Sequence, residues 1–162
     1  MMTKLTYDVL AALEGKTLSV AESCTGGMIG AAITSVPGSS KVFRGGIISY
    51  TNEVKADILK VPGELLDREG AVSLSVAKAM AEGVRKLMDS DYSISVTGLA
   101  GPSGDEFGNP VGTVYIGYAD AERTLAQEYL FAGDRESVRN SATEAALQLL
   151  LKNCNGGQYE NY

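Results

Sequence analysis

Histidine and tryptophan are absent from this sequence, and cysteine occurs only twice in its 162 residues. The lack of histidine excludes Ser-His-Asp catalysis, Cys-His catalysis and every metal site built on imidazole ligands. A proton in any catalytic step would therefore be carried by lysine, tyrosine, aspartate or glutamate. Cys24 and Cys154 are too few for a disulfide framework. We expect a protein that uses neither a metal nor a cofactor.

Positive charge and long apolar runs are also scarce. The sequence has 20 acidic against 14 basic residues, a net charge of −6, which argues against a nucleic-acid partner. No apolar run approaches the length of a membrane span, and the first residues lack the apolar core of a signal peptide. We therefore expect a cytoplasmic protein without a membrane partner.

Helical and strand patterns alternate along the sequence. Helices are predicted for residues 3–14, 28–36, 52–59, 73–88 and 134–151, and strands for residues 18–21, 42–50, 92–97, 111–119 and 124–132. The last two strands match in length around a short polar turn, which indicates an antiparallel hairpin. This order is typical of a single three-layer α/β/α domain with a mixed sheet, here over residues 1–152. We expect residues 153–162, which are polar and glycine-bearing, to form a frayed tail.

Two turns of small residues follow directly after predicted strands. The first, Glu22-Ser-Cys-Thr-Gly-Gly27, leads into a helix, and the second spans residues 98–104. Unpaired N–H groups at a helix start favour anions, and glycine lets a ligand approach the backbone. Both turns would lie at the carboxyl ends of strands, where such folds bind ligands. The alternative is an ordinary connection whose hydroxyls only cap the helix.

A serine in the first turn is a candidate nucleophile. Ser23 precedes a helix start whose N–H groups would stabilise an oxyanion, but its hydroxyl needs a base. Lys55 would serve as that base if burial lowered its pKa, and Tyr50 would relay the proton or hold the lysine. The alternative is a solvated surface lysine and a core tyrosine. Cys24 is either a second candidate nucleophile or a packing residue.

The second turn and the last predicted helix supply candidate ligand contacts. Thr97, Gly98 and Gly101 would cradle a phosphate through backbone N–H groups and a hydroxyl. Arg135 and Arg139 lie in the first turns of the last helix and would pair with an anion if they face the crevice. Otherwise they are surface charges, and the sequence leaves open which of them faces the site.

Six blocks of the sequence occur in a characteristic order. They are Ala21-Glu-Ser-Cys-Thr-Gly-Gly27, Val42-Phe-Arg-Gly-Gly46, Tyr50-Thr-Asn-Glu-Val-Lys55, Gly70-Ala-Val-Ser73, Val96-Thr-Gly-Leu-Ala-Gly-Pro102 and Pro110-Val-Gly-Thr-Val-Tyr115. Through these blocks the sequence resembles the CinA carboxy-terminal domain family, whose stand-alone members are nicotinamide-nucleotide amidohydrolases. The resemblance implies a CinA C-terminal-like fold. It also implies metal-free hydrolysis of nicotinamide mononucleotide to nicotinate mononucleotide and ammonia.

The resemblance further implies roles for particular residues. Ser23 would be the nucleophile, with Lys55 and Tyr50 as its base. Substrate contacts would come from Thr25, Gly26, Gly27, Arg44, Gly46, Thr97, Gly98, Ala100, Gly101 and Arg135. The partner would be a small mononucleotide, and because such proteins usually pair we expect a homodimer or a higher homo-oligomer. The alternative is a non-catalytic nucleotide-binding or regulatory module of the same fold.

Overall fold

Five strands form one sheet in the computed structural model, which describes residues 2–154. The strands are β1 (Leu18–Glu22), β2 (Phe43–Ile48), β3 (Tyr92–Gly98), β4 (Thr113–Ala119) and β5 (Thr124–Leu130). The helices are α1 (Met2–Ala12), α2 (Met28–Thr34), α3 (Asn52–Asp57), α4 (Gly63–Glu69), α5 (Leu74–Met88) and α6 (Arg135–Cys154), with a short 3-10 helix at Ser39–Lys41. The strand order in the sheet is β2-β1-β3-β4-β5.

The strand directions bring the two small-residue turns to one edge of the sheet. β1 runs parallel to both β2 and β3, and Glu22 at the end of β1 lies opposite Val96 near the end of β3. We call the edge at which these three strands end the carboxyl edge. β4 and β5 are antiparallel to their neighbours, which confirms the expected hairpin and the mixed sheet. Since the hairpin returns the chain to the carboxyl edge, α6 begins beside the two turns.

Large aliphatic side chains cover one face of the sheet. Val20, Ile94 and Ile116 are buried there against residues of α1, α2 and α6. Alternation along the strands directs every second side chain into this core. Leu147 and Leu150 of α6 are completely buried, and full burial of a leucine contributes about 1.5–3 kcal/mol. This packing holds α6 against the sheet, with its first turn at the carboxyl edge.

Small and hydroxyl side chains line the opposite face, beneath α5. The hydroxyls of Ser93 and Ser95 donate to the α5 carbonyls of Ala81 and Ala77, each at 2.6 Å. A Cβ atom at Gly117 would collide with the same Ala77 carbonyl. The helix therefore lies directly on the sheet backbone, and the helices on both faces give the three-layer α/β architecture that the pattern predicts.

Three local features differ from the prediction or refine it. The helix α4 is not predicted from the sequence, because Pro62-Gly63 is typical of a turn. In the structure, Pro62 directly precedes the first residue of this helix. Thr51 caps α3 by accepting a hydrogen bond from the Val54 N–H. α6 continues through Cys154, so residues 153 and 154 are helical rather than part of a tail. The rest of the expected tail, residues 155–162, lies outside the described residues.

Candidate active site

The turn after β1 is organised by a buried glutamate. Glu22 is 2% exposed, and its carboxylate accepts hydrogen bonds from the Thr25 hydroxyl at 2.6 Å and from three N–H groups at 3.0–3.1 Å. Those N–H groups belong to Gly27, Ile29 and Gly30, at the start of α2. A negative charge is stabilised there by the unpaired donors and the helix dipole. The chain's own carboxylate thus takes the N–H groups that the sequence pattern assigns to a ligand anion or an oxyanion.

Arg139 holds the same turn from the side of α6. Its Nε donates to the Cys24 carbonyl oxygen at 2.9 Å, and its Nη2 donates to the Thr25 carbonyl oxygen at 3.3 Å. The Ser23 N–H donates to the Val96 carbonyl oxygen of β3 at 3.1 Å. The backbone around Ser23 is thus fixed by contacts to α6 and β3. The side chain of Arg139 stabilises this turn.

Ser23 and Lys55 meet at the carboxyl edge. The Nζ atom of Lys55 lies 3.2 Å from the Ser23 Oγ and donates to the Ser49 carbonyl oxygen at 2.7 Å. Ser23 is 8% exposed and Lys55 is 1% exposed. The contact between them is short enough for direct proton transfer. The structure therefore brings together the two residues that the sequence pairs as nucleophile and base.

Burial changes the acidity of both groups beside Ser23. Loss of solvation lowers the pKa of Lys55 from 10.5 to about 8. A lysine with this pKa is well placed to accept a proton near neutral pH. Burial also raises the pKa of the Cys24 thiol to about 11, which keeps it protonated. Because Ser23 has a base within reach and the neighbouring Cys24 thiol is unreactive, the serine is favoured over the cysteine as the nucleophile.

Arg135 connects two sides of the site. Its Nη1 donates to the Gly101 carbonyl oxygen at 2.6 Å, and its Nη2 donates to the Tyr50 hydroxyl at 3.1 Å. Tyr50 is 57% exposed, and the lysine is held by the Ser49 carbonyl rather than by this tyrosine. Of the two arginines that the sequence left undecided, Arg135 is the one that faces the site.

These side chains share one pocket of about 290 Å³. It is lined by Ser23, Cys24, Tyr50, Asn52, Lys55, Ala71, Val72, Thr97, Gly98, Leu99, Ala100, Gly101, Ser103 and Arg135. Lys55 and Arg135 are its charged members, and no carboxylate is among the lining residues. In a chain with a net charge of −6, such a pocket fits an anionic ligand.

The second turn reaches the pocket mainly through its backbone. The Thr97 hydroxyl donates to the Ala71 carbonyl oxygen at 2.8 Å, so it is committed to the fold. A Cβ atom at Gly98 would lie 2.6 Å from a methyl group of Val114, so this strand end requires glycine. Gly101 has a φ of +103°, which glycine adopts without strain. This geometry places the Gly101 carbonyl beside Arg135.

Three predicted substrate contacts lie in the first turn instead of lining the pocket. Thr25 is completely buried and donates to Glu22. Gly26 and Gly27 have φ values of +57° and +107°, which glycine tolerates best. These residues shape the turn that presents Ser23.

Two further predicted contacts lie elsewhere in the sheet. Arg44, near the start of β2, donates through Nε to the Met88 carbonyl oxygen at the end of α5, 2.7 Å away. This contact lies at the edge opposite the pocket. A Cβ atom at Gly46 would collide with the Val20 backbone, so this glycine permits close packing of β2 on β1. Neither residue lines the pocket of Ser23 and Lys55, and both make packing contacts in the fold, since a family block contains packing residues as well as site residues.

Several site residues escape sequence reasoning. The pocket also includes Asn52, Ala71, Val72, Leu99 and Ser103. The first four fall inside the six quoted blocks, which is the signal that could have identified them. Ser49 contacts Lys55 through its carbonyl oxygen, an atom that every residue type carries, so no sequence signal marks it.

The described part of the chain has neither a cluster of metal ligands nor a membrane-spanning helix. Within residues 2–154, no group of three or more cysteine, aspartate or glutamate side chains is arranged to hold a metal ion. None of the helices in that range is long and apolar enough to cross a membrane.

Curated relatives are similar over most of this chain. A putative competence-damage inducible protein of Desulforudis audaxviator is 49% identical over 137 residues, which are 85% of this chain and 33% of the relative. A CinA-like protein of Endomicrobium trichonymphae is 49% identical over 152 residues, 90% of this chain and 36% of the relative. The chain thus spans about a third of the length of the curated relatives it matches.

Solved structures share the fold over nearly their whole length. A CinA superfamily protein of Klebsiella pneumoniae has a TM-score of 0.93 and 32% identity, with 96% of this chain and 99% of that chain covered. One from Escherichia coli has a TM-score of 0.90 and 36% identity, with 93% and 90% covered. The family model of the CinA C-terminal domain matches residues 2–154. The chain therefore belongs to the CinA C-terminal domain family.

Proposed function

We propose that this protein is an amidohydrolase that converts nicotinamide mononucleotide to nicotinate mononucleotide and ammonia. The observation that carries the proposal is the 3.2 Å contact between Ser23 Oγ and the buried Lys55 Nζ at the wall of a pocket. A buried lysine without a carboxylate partner costs stability, and a module that only binds a nucleotide gains nothing from a nucleophile paired with a base. Membership of the CinA family supports the same reading.

Catalysis would use one lysine in both halves of the reaction. Neutral Lys55 takes the proton of Ser23 as the serine oxygen attacks the carboxamide carbon, and the lysine then protonates the leaving nitrogen. Ammonia departs and leaves an ester on Ser23. Water adds to this ester with the help of the same lysine, the bond between Ser23 Oγ and carbon breaks, and the acid is released. The Ser49 carbonyl, 2.7 Å from Nζ, keeps the amine oriented.

The developing oxyanion requires donors other than the start of α2. Glu22 accepts hydrogen bonds from the N–H groups there. The Cys24 N–H directly follows the nucleophile and is unpaired in the backbone hydrogen-bond network of residues 2–154. The N–H after a nucleophile serves this purpose in other acyl-transfer enzymes, and we assign the role to Cys24.

Arg135 would bind the phosphate of the substrate. Its present acceptors, the Gly101 carbonyl and the Tyr50 hydroxyl, are neutral, and a phosphate accepts stronger, charge-assisted hydrogen bonds from a guanidinium. Phosphate binding would release the Tyr50 hydroxyl, which then lies free in the same pocket to assist proton transfer. Thr97, Gly98, Ala100 and Gly101 would form the wall against which the nucleotide rests.

The test is ammonia release from nicotinamide mononucleotide by the purified protein. We expect stoichiometric ammonia and nicotinate mononucleotide, and much slower release from free nicotinamide, which lacks the phosphate that positions the substrate. Ser23→Ala should abolish turnover while it still binds the nucleotide. Binding without ammonia in the wild-type protein would favour the non-catalytic nucleotide-binding module instead.

A further inference from the structure

The pocket contains two cations that lack acidic partners. Lys55 Nζ contacts the Ser49 carbonyl and the Ser23 hydroxyl, and Arg135 contacts the Gly101 carbonyl and the Tyr50 hydroxyl. All four acceptors are neutral. The ion pairs between described residues lie elsewhere, at Lys4–Asp8, Arg68–Glu69 and Arg123–Asp120.

A buried ammonium group without a counterion is poorly stabilised. Lys55 is 1% exposed, so water solvates it little, and two neutral hydrogen bonds replace only part of its hydration. A ligand that brings a carboxylate to this nitrogen would supply the missing charge. Arg135, at the other side of the same pocket, would accept a second anion in the same way.

The proposed substrate and product differ in how many anions they offer. Nicotinamide mononucleotide has one anionic group, its phosphate, whereas nicotinate mononucleotide has a phosphate and a carboxylate. The carboxyl carbon of the product is the atom that Ser23 attacked, and Ser23 Oγ lies 3.2 Å from Lys55 Nζ. The new carboxylate therefore forms within reach of the lysine, while the phosphate remains at Arg135.

We propose that this pocket is a site for two anions and that it binds the carboxylate product more tightly than the amide substrate, so that the enzyme is inhibited by its own product. This inference rests on the proposed function for the identity of the two nucleotides.

The proton balance of the last step gives the same result. Water attacks the ester, one of its protons returns to Ser23 Oγ as the bond to carbon breaks, and the other is lost by the new carboxylic acid. A carboxylic acid is far stronger than an alkylammonium ion, so this proton goes to Lys55. Each turnover thus ends with an ammonium group facing a carboxylate, and the pair must separate before the next substrate binds.

Calorimetry with the two nucleotides tests the inference. Both are titrated at pH 7 into the Ser23→Ala protein, which does not turn over the amide. We expect the acid to bind at least about tenfold more tightly, the scale of one charge-assisted contact. In Ser23→Ala/Lys55→Met the two affinities should come within about twofold. Ser23→Ala/Lys78→Met, which removes an exposed lysine of α5, should keep the full preference.

Other outcomes overturn the inference. They are equal or tighter binding of the amide, an unchanged preference after loss of Lys55, and no binding of either nucleotide. A thermal melt verifies that each variant is folded, and Lys55→Gln replaces Lys55→Met if the latter is not. Failure of the proposed function would appear separately, as absence of ammonia with the wild-type protein. With active enzyme, added nicotinate mononucleotide should inhibit competitively, with an inhibition constant below KM.

Discussion

Two buried charged residues lie at the carboxyl edge of the sheet, and they differ in how the fold treats them. Glu22 is 2% exposed and its carboxylate accepts four hydrogen bonds, three of them from backbone N–H groups at a helix start. Lys55 is 1% exposed and has two neutral partners. Burial alone therefore does not separate a structural charge from a reactive one. The number and charge of the hydrogen-bond partners distinguish the two kinds of residue. A buried ion with enough partners is stabilised in its charged form, whereas a buried ion with too few tends to lose or exchange its proton.

The largest expected effect is on turnover at Lys55. Lys55→Met keeps an unbranched apolar side chain of similar shape but removes the amine that acts as the base, and we expect kcat to fall by about a thousandfold or more, as for other members of a catalytic unit. The measurement is the steady-state rate of ammonia release. Lys78→Met serves as the matched control and should have the wild-type rate. A Lys55→Met protein with more than a tenth of the wild-type rate would remove the lysine from the mechanism.

The second effect is on stability at Glu22. Glu22→Gln replaces a carboxylate by an amide whose NH₂ group faces donors, and we expect the free energy of unfolding to fall by about 3 kcal/mol. Denaturant unfolding followed by circular dichroism measures this. Glu82→Gln, at an exposed position of α5, should change stability by less than about 0.5 kcal/mol. Similar losses in the two variants would show that the Glu22 hydrogen bonds contribute little.

Replacement of Lys55 is expected to raise the free energy of unfolding, whereas replacement of Glu22 lowers it. Its pKa is lowered from 10.5 to about 8 in the folded protein, so folding at neutral pH must bury an ammonium group, at a cost on the order of 3 kcal/mol. Lys55→Met should therefore raise the free energy of unfolding by about 1–3 kcal/mol at pH 7. This increase in the free energy of unfolding should have its full size below about pH 8. It should become smaller as the pH rises towards 10.5, because the lysine of the unfolded chain then also becomes neutral. Denaturant titrations of both proteins at pH 7 and pH 10 check this, and a gain that does not change with pH would contradict it.

A smaller effect concerns the pH dependence of the rate. Since neutral Lys55 is the active base and its pKa is about 8, kcat/KM should increase about tenfold per pH unit below that value and then level off. The profile is measured with nicotinamide mononucleotide between pH 6 and pH 9.5. A flat profile over this range would mean that another group takes the proton.

The smallest effect is expected at Cys24. Its thiol is buried with a pKa raised to about 11, so it is a packing residue beside the nucleophile. Cys24→Ala should leave kcat within about threefold of the wild-type value, with a modest loss of stability. If Cys24→Ala is inactive while Ser23→Ala retains its rate, the nucleophile is the thiol.

Periodicity and turn residues predict most of this fold. The α/β pattern, the hairpin and the placement of both small-residue turns at one edge of the sheet follow from the alternation of apolar positions and from glycine. The sequence pattern does not predict α4, since Pro62-Gly63 is equally typical of the end of one helix and the start of another. Such short elements depend on tertiary packing more than on local sequence.

The site is only partly predictable, for a different reason. Ser23, Lys55 and Arg135 are identified by side-chain chemistry, and the structure brings them to one pocket. The occupation of the α2 start by Glu22 is not predictable from spacing alone, because a carboxylate one residue before the nucleophile could equally face a ligand. The contact from Ser49 leaves no trace in the sequence, since it is made by the backbone.

The direct contact between α5 and its neighbours limits which substitutions evolution can accept. A Cβ atom at Gly83 of α5 would collide with the Leu59 backbone, in the segment that follows α3 and therefore Lys55. Even alanine would have to displace that segment, and with it the amine that faces Ser23. In a selection for activity, Gly83 should thus be as intolerant of change as the residues that perform the chemistry, although it touches no ligand.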